Sequence, residues 1–184
     1  MNKFFILCLL FFFISCGDSG SGSSSSPSQE PETTTEQDPL KEVDLVTPQG
    51  ETVKTSLAYT KDDQLDGLQH VQDSEFSEDQ GKLFFYLKDA ARTFWMPNTY
   101  FNLDIIYLDE DLKIVDIVWN MPHYTDDLNS EIPRAPTITS RHVLEMKAGS
   151  PASSQLKIGD SLKWNSSLTL DQAESSIKEE LNND

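Results

Sequence analysis

The chain is expected to fold as one small α+β domain. Its core would be a twisted antiparallel sheet or a partly closed barrel, with one or two short helices. Two observations predict this. Short β-branched or aromatic runs bounded by turn residues recur between positions 52 and 164. Helix start signals with apolar spacing appear only briefly between and after them.

Taken in order, "TVKTSLAY" (52–59) alternates, with Val53, Leu57 and Tyr59 on one side, and predicts a strand. In "TKDDQLDGLQ" (60–69), Thr60 and Asp63 have capping-box spacing, with Asp in place of Glu or Gln. Leu65 and Leu68 are three apart, as on one helix face, and Gly67 marks a helix end or a close contact. "KLFFYL" (82–87) suits a buried strand. "LDIIYL" (103–108) and "KIVDIVW" (113–119) predict a hairpin with an acidic turn. Residues 120–140 hold three prolines and many polar groups and read as a long loop. "RHVLEMK" (141–147) alternates as a strand, "AGSPASSQLKIGD" (148–160) is a turn with a short helix, and "SLKW" (161–164) closes the sheet. Thr169 and Gln172 form a capping box for a short acidic helix in the tail 166–184, with Leu170, Ala173, Ile177 and Leu181 near one face. Packing of that helix on the domain and fraying into solvent both remain open.

The N-terminus sets the expected compartment. Over residues 1–15, "MNK" is a basic start and "FFILCLLFFFI" an apolar core, as in a signal peptide. The apolar run is shorter than the ~20 residues that span a bilayer. "FISCGDSGSG" (13–22) resembles a bacterial lipobox, with Phe13 where leucine is usual and Cys16 as the first mature residue. Acylation of that cysteine would anchor the chain to membrane lipid, since each buried methylene adds ~0.8 kcal/mol. Residues 16–41 are Ser, Gly, Pro, Thr and Glu with almost no apolar side chain, a composition that stays disordered. Such a tether spans roughly 25–30 Å at ~5–6 Å × √n. The domain would then occupy 42–165, held outside the cytoplasm in the cell envelope.

Charge and cysteines narrow the function classes. The formal net charge is −17, which repels phosphate backbones, so nucleic acid is not an expected partner. Cys8 leaves with the signal peptide and Cys16 is acylated, so no disulfide, cysteine-based zinc site or thiol nucleophile is available. His70, His123 and His142 show no metal-ligand spacing, and no phosphate loop, dinucleotide fingerprint or G-x-S-x-G is present. No catalytic residue, metal or cofactor is assigned.

Six stretches carry a resemblance. "GLQH" (67–70), "GKLFFY" (81–86), "FWMPNT" (94–99), "NLDIIY" (102–107), "VLEMKAG" (143–149) and "GD" (159–160) follow the order and spacing of the domain of unknown function family 192. The resemblance implies a small α+β domain around a twisted antiparallel sheet, and no reaction. Against the family pattern, Gln69 and Val71 replace a methionine and an arginine, Lys82 a methionine, Pro97 a lysine and Asn102 a proline. An anion bound in the family through the lost cations would here bind poorly or use Arg92, Arg134 or Arg141 instead.

The candidate ligand-binding residues are Trp95, Asn98, Thr99, Asp104 and Glu145. Each also has a structural reading. Trp95 alternates with Phe94 and Met96, so it lies either in the core or on the other surface. Asn98 and Thr99 follow a proline and can close a turn. Asp104 and Glu145 sit among apolar neighbours and need partners or a pocket. His142 and Glu145 are three apart on a strand and should face opposite ways. The leading reading is a non-catalytic binding or interaction module for a small molecule, glycan or protein. The alternative is an enzyme acting on cell-envelope glycans with Asp104 and Glu145 as a carboxylate pair, which needs them ~5–9.5 Å apart across an open cleft.

Overall fold

The structure, a computed structural model, describes residues 38–124 and 131–183. The expected signal peptide, Cys16 and nearly all of the tether lie outside the described residues. Residues 38–41 form a turn, in which the Lys41 and Glu42 amides donate to the Asp38 carbonyl at 2.9 Å.

Seven strands form one sheet in the order β6–β5–β8–β3–β2–β1–β9. They are β1 (Glu42–Val46), β2 (Thr52–Ala58), β3 (Gln80–Phe84), β5 (Leu103–Leu108), β6 (Ile114–Met121), β8 (His142–Lys147) and β9 (Lys163–Asn165). A separate pair joins β4 (Ala90–Arg92) to β7 (Ile138–Ser140). Every pair in the large sheet is antiparallel except β2–β3, so the sheet is mixed where an antiparallel one was expected. The crossover between those two strands carries α1 (Lys61–Asp66), as a parallel connection requires.

The sheet curls until its ends approach. Ile114 N–H donates to the Asp160 carbonyl at 2.8 Å, and Leu162 N–H donates to the Leu112 carbonyl at 3.0 Å. These bonds bring the segment just before β9 beside the start of β6, giving a half-barrel. Among the described residues the domain is mostly sheet with two α-helices, one of them short, and is sheet-dominated.

The curl leaves two apolar layers, one on each face. Inside lie Leu45, Val53, Leu83, Ile106, Leu144 and Met146. Outside lie Leu68, Phe84, Phe94, Ile105, Tyr107 and Val143. All six residues of β5 are buried, which explains why "LDIIYL" does not alternate: a strand covered on both faces reads as a continuous run. Gly81 in β3 is required by closeness, since a Cβ there would sit 2.9 Å from both Leu144 and Val53.

The helices follow their caps. Asp63 N–H donates to the Thr60 hydroxyl at 3.1 Å, and the chain leaves α1 at Gly67 with φ of 50°. Because the helix stops there, Leu65 and Leu68 do not share a helical face as expected. Leu65 is exposed and Leu68 is buried. The helix α2 (Leu170–Asn183) opens with reciprocal bonds between Thr169 and Gln172. Its Ala173 and Ile177 are fully buried, and Ile177 joins the inner layer, so the tail helix packs on the domain. No helix among the described residues is long and apolar enough to cross a membrane.

Candidate functional site

The register of β5 against β8 decides what the two buried carboxyl groups can do. Asp104 pairs with Met146, and Ile105 pairs with Glu145. Paired residues point the same way and successive residues point oppositely. Asp104 therefore faces the inner layer while Glu145 faces the outer one. No carboxylate pair forms across a cleft. By the same alternation His142 and Glu145 lie on opposite faces.

Asp104 is a clamp. One oxygen accepts from Asn120 N–H at 2.8 Å, and the other from Gly149 N–H at 2.9 Å and the Ser153 hydroxyl at 2.8 Å. Asn120 and Gly149 have positive φ of 50° and 71°, which turns their amides towards the carboxylate. The bonds tie the end of β6 and the turn after β8 to β5. Both carboxyl oxygens of Asp104 are engaged by donors of the chain.

Glu145 has no hydrogen-bond or ion-pair partner among the described residues, although only 4% of it is exposed. Burial pushes its carboxyl up to about 8, with the charge of Lys82 on β3 pulling back in part. At neutral pH it is a carboxylic acid that can both donate and accept. It forms part of the wall of an open recess of about 120 Å³. Phe84, Tyr86, Phe94 and Trp95 line the recess with it, and the Phe84 and Phe94 rings meet edge to face at 4.7 Å. Gly67 lies at the wall, where a Cβ would stand 3.2 Å from the Phe84 ring.

Trp95 and Thr99 line the same recess, so the structure gathers these two with Glu145. Trp95 is 45% exposed and forms an isolated bridge to Arg134, whose guanidinium lies 4.9 Å from its ring centre. Thr99 is buried and donates to the Pro97 carbonyl at 3.2 Å. Asn98 is in the turn beside the recess with φ of 46°, and its carbonyl accepts from His70 N–H at 2.9 Å. Both therefore do turn work.

Sequence reasoning missed Tyr86, Phe84 and Gln64 as recess residues. The signal was faint: "KLFFYL" reads as core, and nothing in it shows that Tyr86 lies past the strand end. Of the arginines, Arg141 is committed to Asp89 at 2.6 Å, Glu110 at 3.1 Å and Glu174 at 3.5 Å. Arg92 lies 3.3 Å over the Tyr86 ring and donates to the carbonyls of Lys88 and Ser140. His142 accepts from Tyr86 N–H at 3.2 Å through Nδ1, which places its proton on Nε2. Burial pulls its ring nitrogen down to about 3, so it stays neutral. No cluster of three or more metal-ligating side chains occurs among the described residues.

Comparison with known proteins gives a family and a fold. The family DUF192, described as uncharacterized ACR, matches residues 44–164. A crystal structure of a candidate transcription regulator from Sinorhizobium meliloti 1021 is 26% identical, with a TM-score of 0.55 over 67% of this chain and 92% of that one. A protein of unknown function from Novosphingobium aromaticivorans DSM 12444 is also 26% identical, with a TM-score of 0.53 over 79% of this chain and 100% of that one. No curated protein matches at a significant level.

Two stability measurements separate the carboxyl groups. Asp104→Asn keeps the shape but sets an amide N–H₂ against donors, and should cost about 2–4 kcal/mol in urea unfolding. An unchanged midpoint would remove the clamp. Glu145 behaves oppositely. The unfolded chain releases its proton near 4.5 and the folded chain only near 8. This group's contribution is therefore complete below about pH 4.5 and declines as pH rises to about 8, by at most ~1.4 kcal/mol per unit. Glu145→Gln should abolish that slope, so the variant gains on the parent between about pH 5 and 8. Parallel stability curves for the two proteins would show that Glu145 ionises normally.

Proposed function

The chain belongs to the DUF192 family, and from that premise we propose that it is a membrane-anchored cell-envelope lipoprotein whose domain is a non-catalytic binding module. The observation that carries the binding reading is the unpartnered, buried Glu145 carboxyl facing an open recess walled by aromatic rings. A carboxyl desolvated without a partner costs stability that a purely structural residue would not impose. Such a group is tolerated where a ligand supplies the missing partner. A half-exposed indole beside it gives a flat apolar platform. The absence of catalysis is inferred because no nucleophile–base pair converges on the recess among the described residues.

The anchor reading rests on the basic start, apolar run and lipobox-like stretch ending at Cys16. The polar tether that follows would hold the domain just off the lipid surface. A nucleic-acid role, as the description of the Sinorhizobium relative would suggest for that protein, is disfavoured here by the net charge of −17.

Two experiments test these halves separately. A thermal-shift screen of the full chain against sugars, muropeptides and divalent cations should find a ligand that raises the midpoint by mass action. Trp95→Ala should erase that rise while moving the unliganded midpoint little, because the indole is 45% exposed. A large loss of stability with ligand shifts intact would make Trp95 scaffold. For the anchor, Cys16→Ser should move the chain from the membrane fraction to the soluble fraction. Retention in the membrane fraction sinks the lipoprotein reading.

A further inference from the structure

We propose that the ligand of the Glu145 recess is a small organic cation, a substituted ammonium group packed against aromatic rings with Glu145 as its counter-ion. This rests on reading that recess as a ligand site, and names the chemistry it selects.

The first argument is the composition of the wall. Four aromatic residues line it, Phe84, Tyr86, Phe94 and Trp95, together with two acidic ones, Asp66 and Glu145. No lysine, arginine or histidine among the described residues lines it. Aromatic faces carry negative potential, and a cage of such rings attracts alkylated ammonium groups. An anionic ligand would meet two carboxyl groups at the wall, and the nearest guanidiniums, Arg92 and Arg134, lie against the Tyr86 and Trp95 rings rather than in the lining.

The second argument is that no cation among the described residues forms an ion pair with Glu145. Lys82 pairs in register with Glu145 across β3 and β8, and is the neighbour best placed to neutralise it. It forms no ion pair with Glu145, and instead lines a separate hollow with Thr55 and Gln80. Asp66 adds a second acid to the wall, and the remaining groups with charge or a titrating proton nearby are neutral or occupied. Tyr86 and Tyr107 are both raised by burial, Tyr107 to about 12, and keep their protons. Arg92 is seated on Tyr86 and Arg134 on Trp95, and neither lines the recess. These two contacts show that both rings already act as platforms for cations.

The third argument is size. A dry cavity of ~150 Å³ holds a benzene ring. At about 120 Å³ the open recess is comparable in size, and so suits a compact head such as a trimethylammonium group.

The proton balance of binding distinguishes this ligand from a neutral one. A cation favours the ionised carboxylate, so Glu145 must release its proton when the ligand arrives. A neutral sugar would use the protonated carboxyl as it stands and release nothing. Choline suits the test because its quaternary nitrogen carries no proton, so any proton released comes from the protein.

The experiment is calorimetric titration of the full chain with choline at about pH 6.5, in two buffers of different ionisation enthalpy. Near one proton should be released per choline, and affinity should rise about tenfold per pH unit up to about 8. Glu145→Gln should lose at least tenfold in affinity together with the pH dependence, and Trp95→Ala should lose affinity but keep the proton release. Vesicles of phosphatidylcholine repeat the test with the same ammonium on a lipid. Vesicle binding that needs Glu145 assigns a headgroup as the source, and binding of free choline alone assigns a soluble amine. If N-acetylglucosamine binds through Trp95 without proton exchange and choline does not, the cation is overturned and the binding module survives. If neither probe binds and neither variant changes anything, both readings fall.

Discussion

A sheet covered on both faces gives no side chain in its central strands access to bulk water. In β5 and β8 a buried polar group is stable when the chain satisfies it or it opens onto a hollow; the Tyr107 hydroxyl is the exception, buried with no hydrogen-bond partner among the described residues. Four ionisable residues occupy these two strands at buried positions; burial keeps the proton on Tyr107, and the other three meet that constraint differently. Asp104 takes three donors. His142 becomes a neutral acceptor for the Tyr86 amide, with its ring tilted against Phe85 at 4.3 Å. Glu145 takes no donor and faces a recess. The first two hold the fold together; the third marks where something else can enter.

The family motifs divide along the same line. The aspartate of "NLDIIY" and the glycine of "VLEMKAG" meet directly, because Gly149 N–H is one of the donors to Asp104. The aspartate of the terminal "GD" closes its own turn, accepting from Lys157 N–H at 3.0 Å, while its carbonyl helps to close the half-barrel. Gly81 exists to let β3 approach its neighbours. These are scaffold roles. "GLQH", "FWMPNT" and the glutamate of "VLEMKAG" converge instead on one recess, through Gly67, Trp95, Thr99 and Glu145. One set of motifs builds the half-barrel and the other surrounds a hollow on its outer face.

Two of the five departures from the family pattern fall around that hollow. Gln69 lines it where the family has methionine, and Pro97 lines it where the family has lysine. The lost lysine leaves the wall acidic and aromatic. Arg141 does not replace it, because three carboxylates hold that guanidinium.

Periodicity and capping are local, and they were legible without coordinates. "TVKTSLAY", "LDIIYL" and "RHVLEMK" announced strands, Thr60 and Thr169 announced helices, and the opposite orientation of His142 and Glu145 followed from their spacing alone. Trp95, Thr99 and Glu145 could be singled out because polar or amphipathic groups interrupt apolar runs. Pairing is not local. Whether Asp104 shares a face with Glu145 depends on a one-residue choice of register between segments some forty positions apart, and a slip of one reverses every side chain. Whether a buried acid finds a donor depends on turns at Asn120 and Gly149 that come together only when the sheet curls. The residue types were written along the chain, but which carboxyl became a clamp and which was left facing a recess was decided by contacts that exist only in three dimensions.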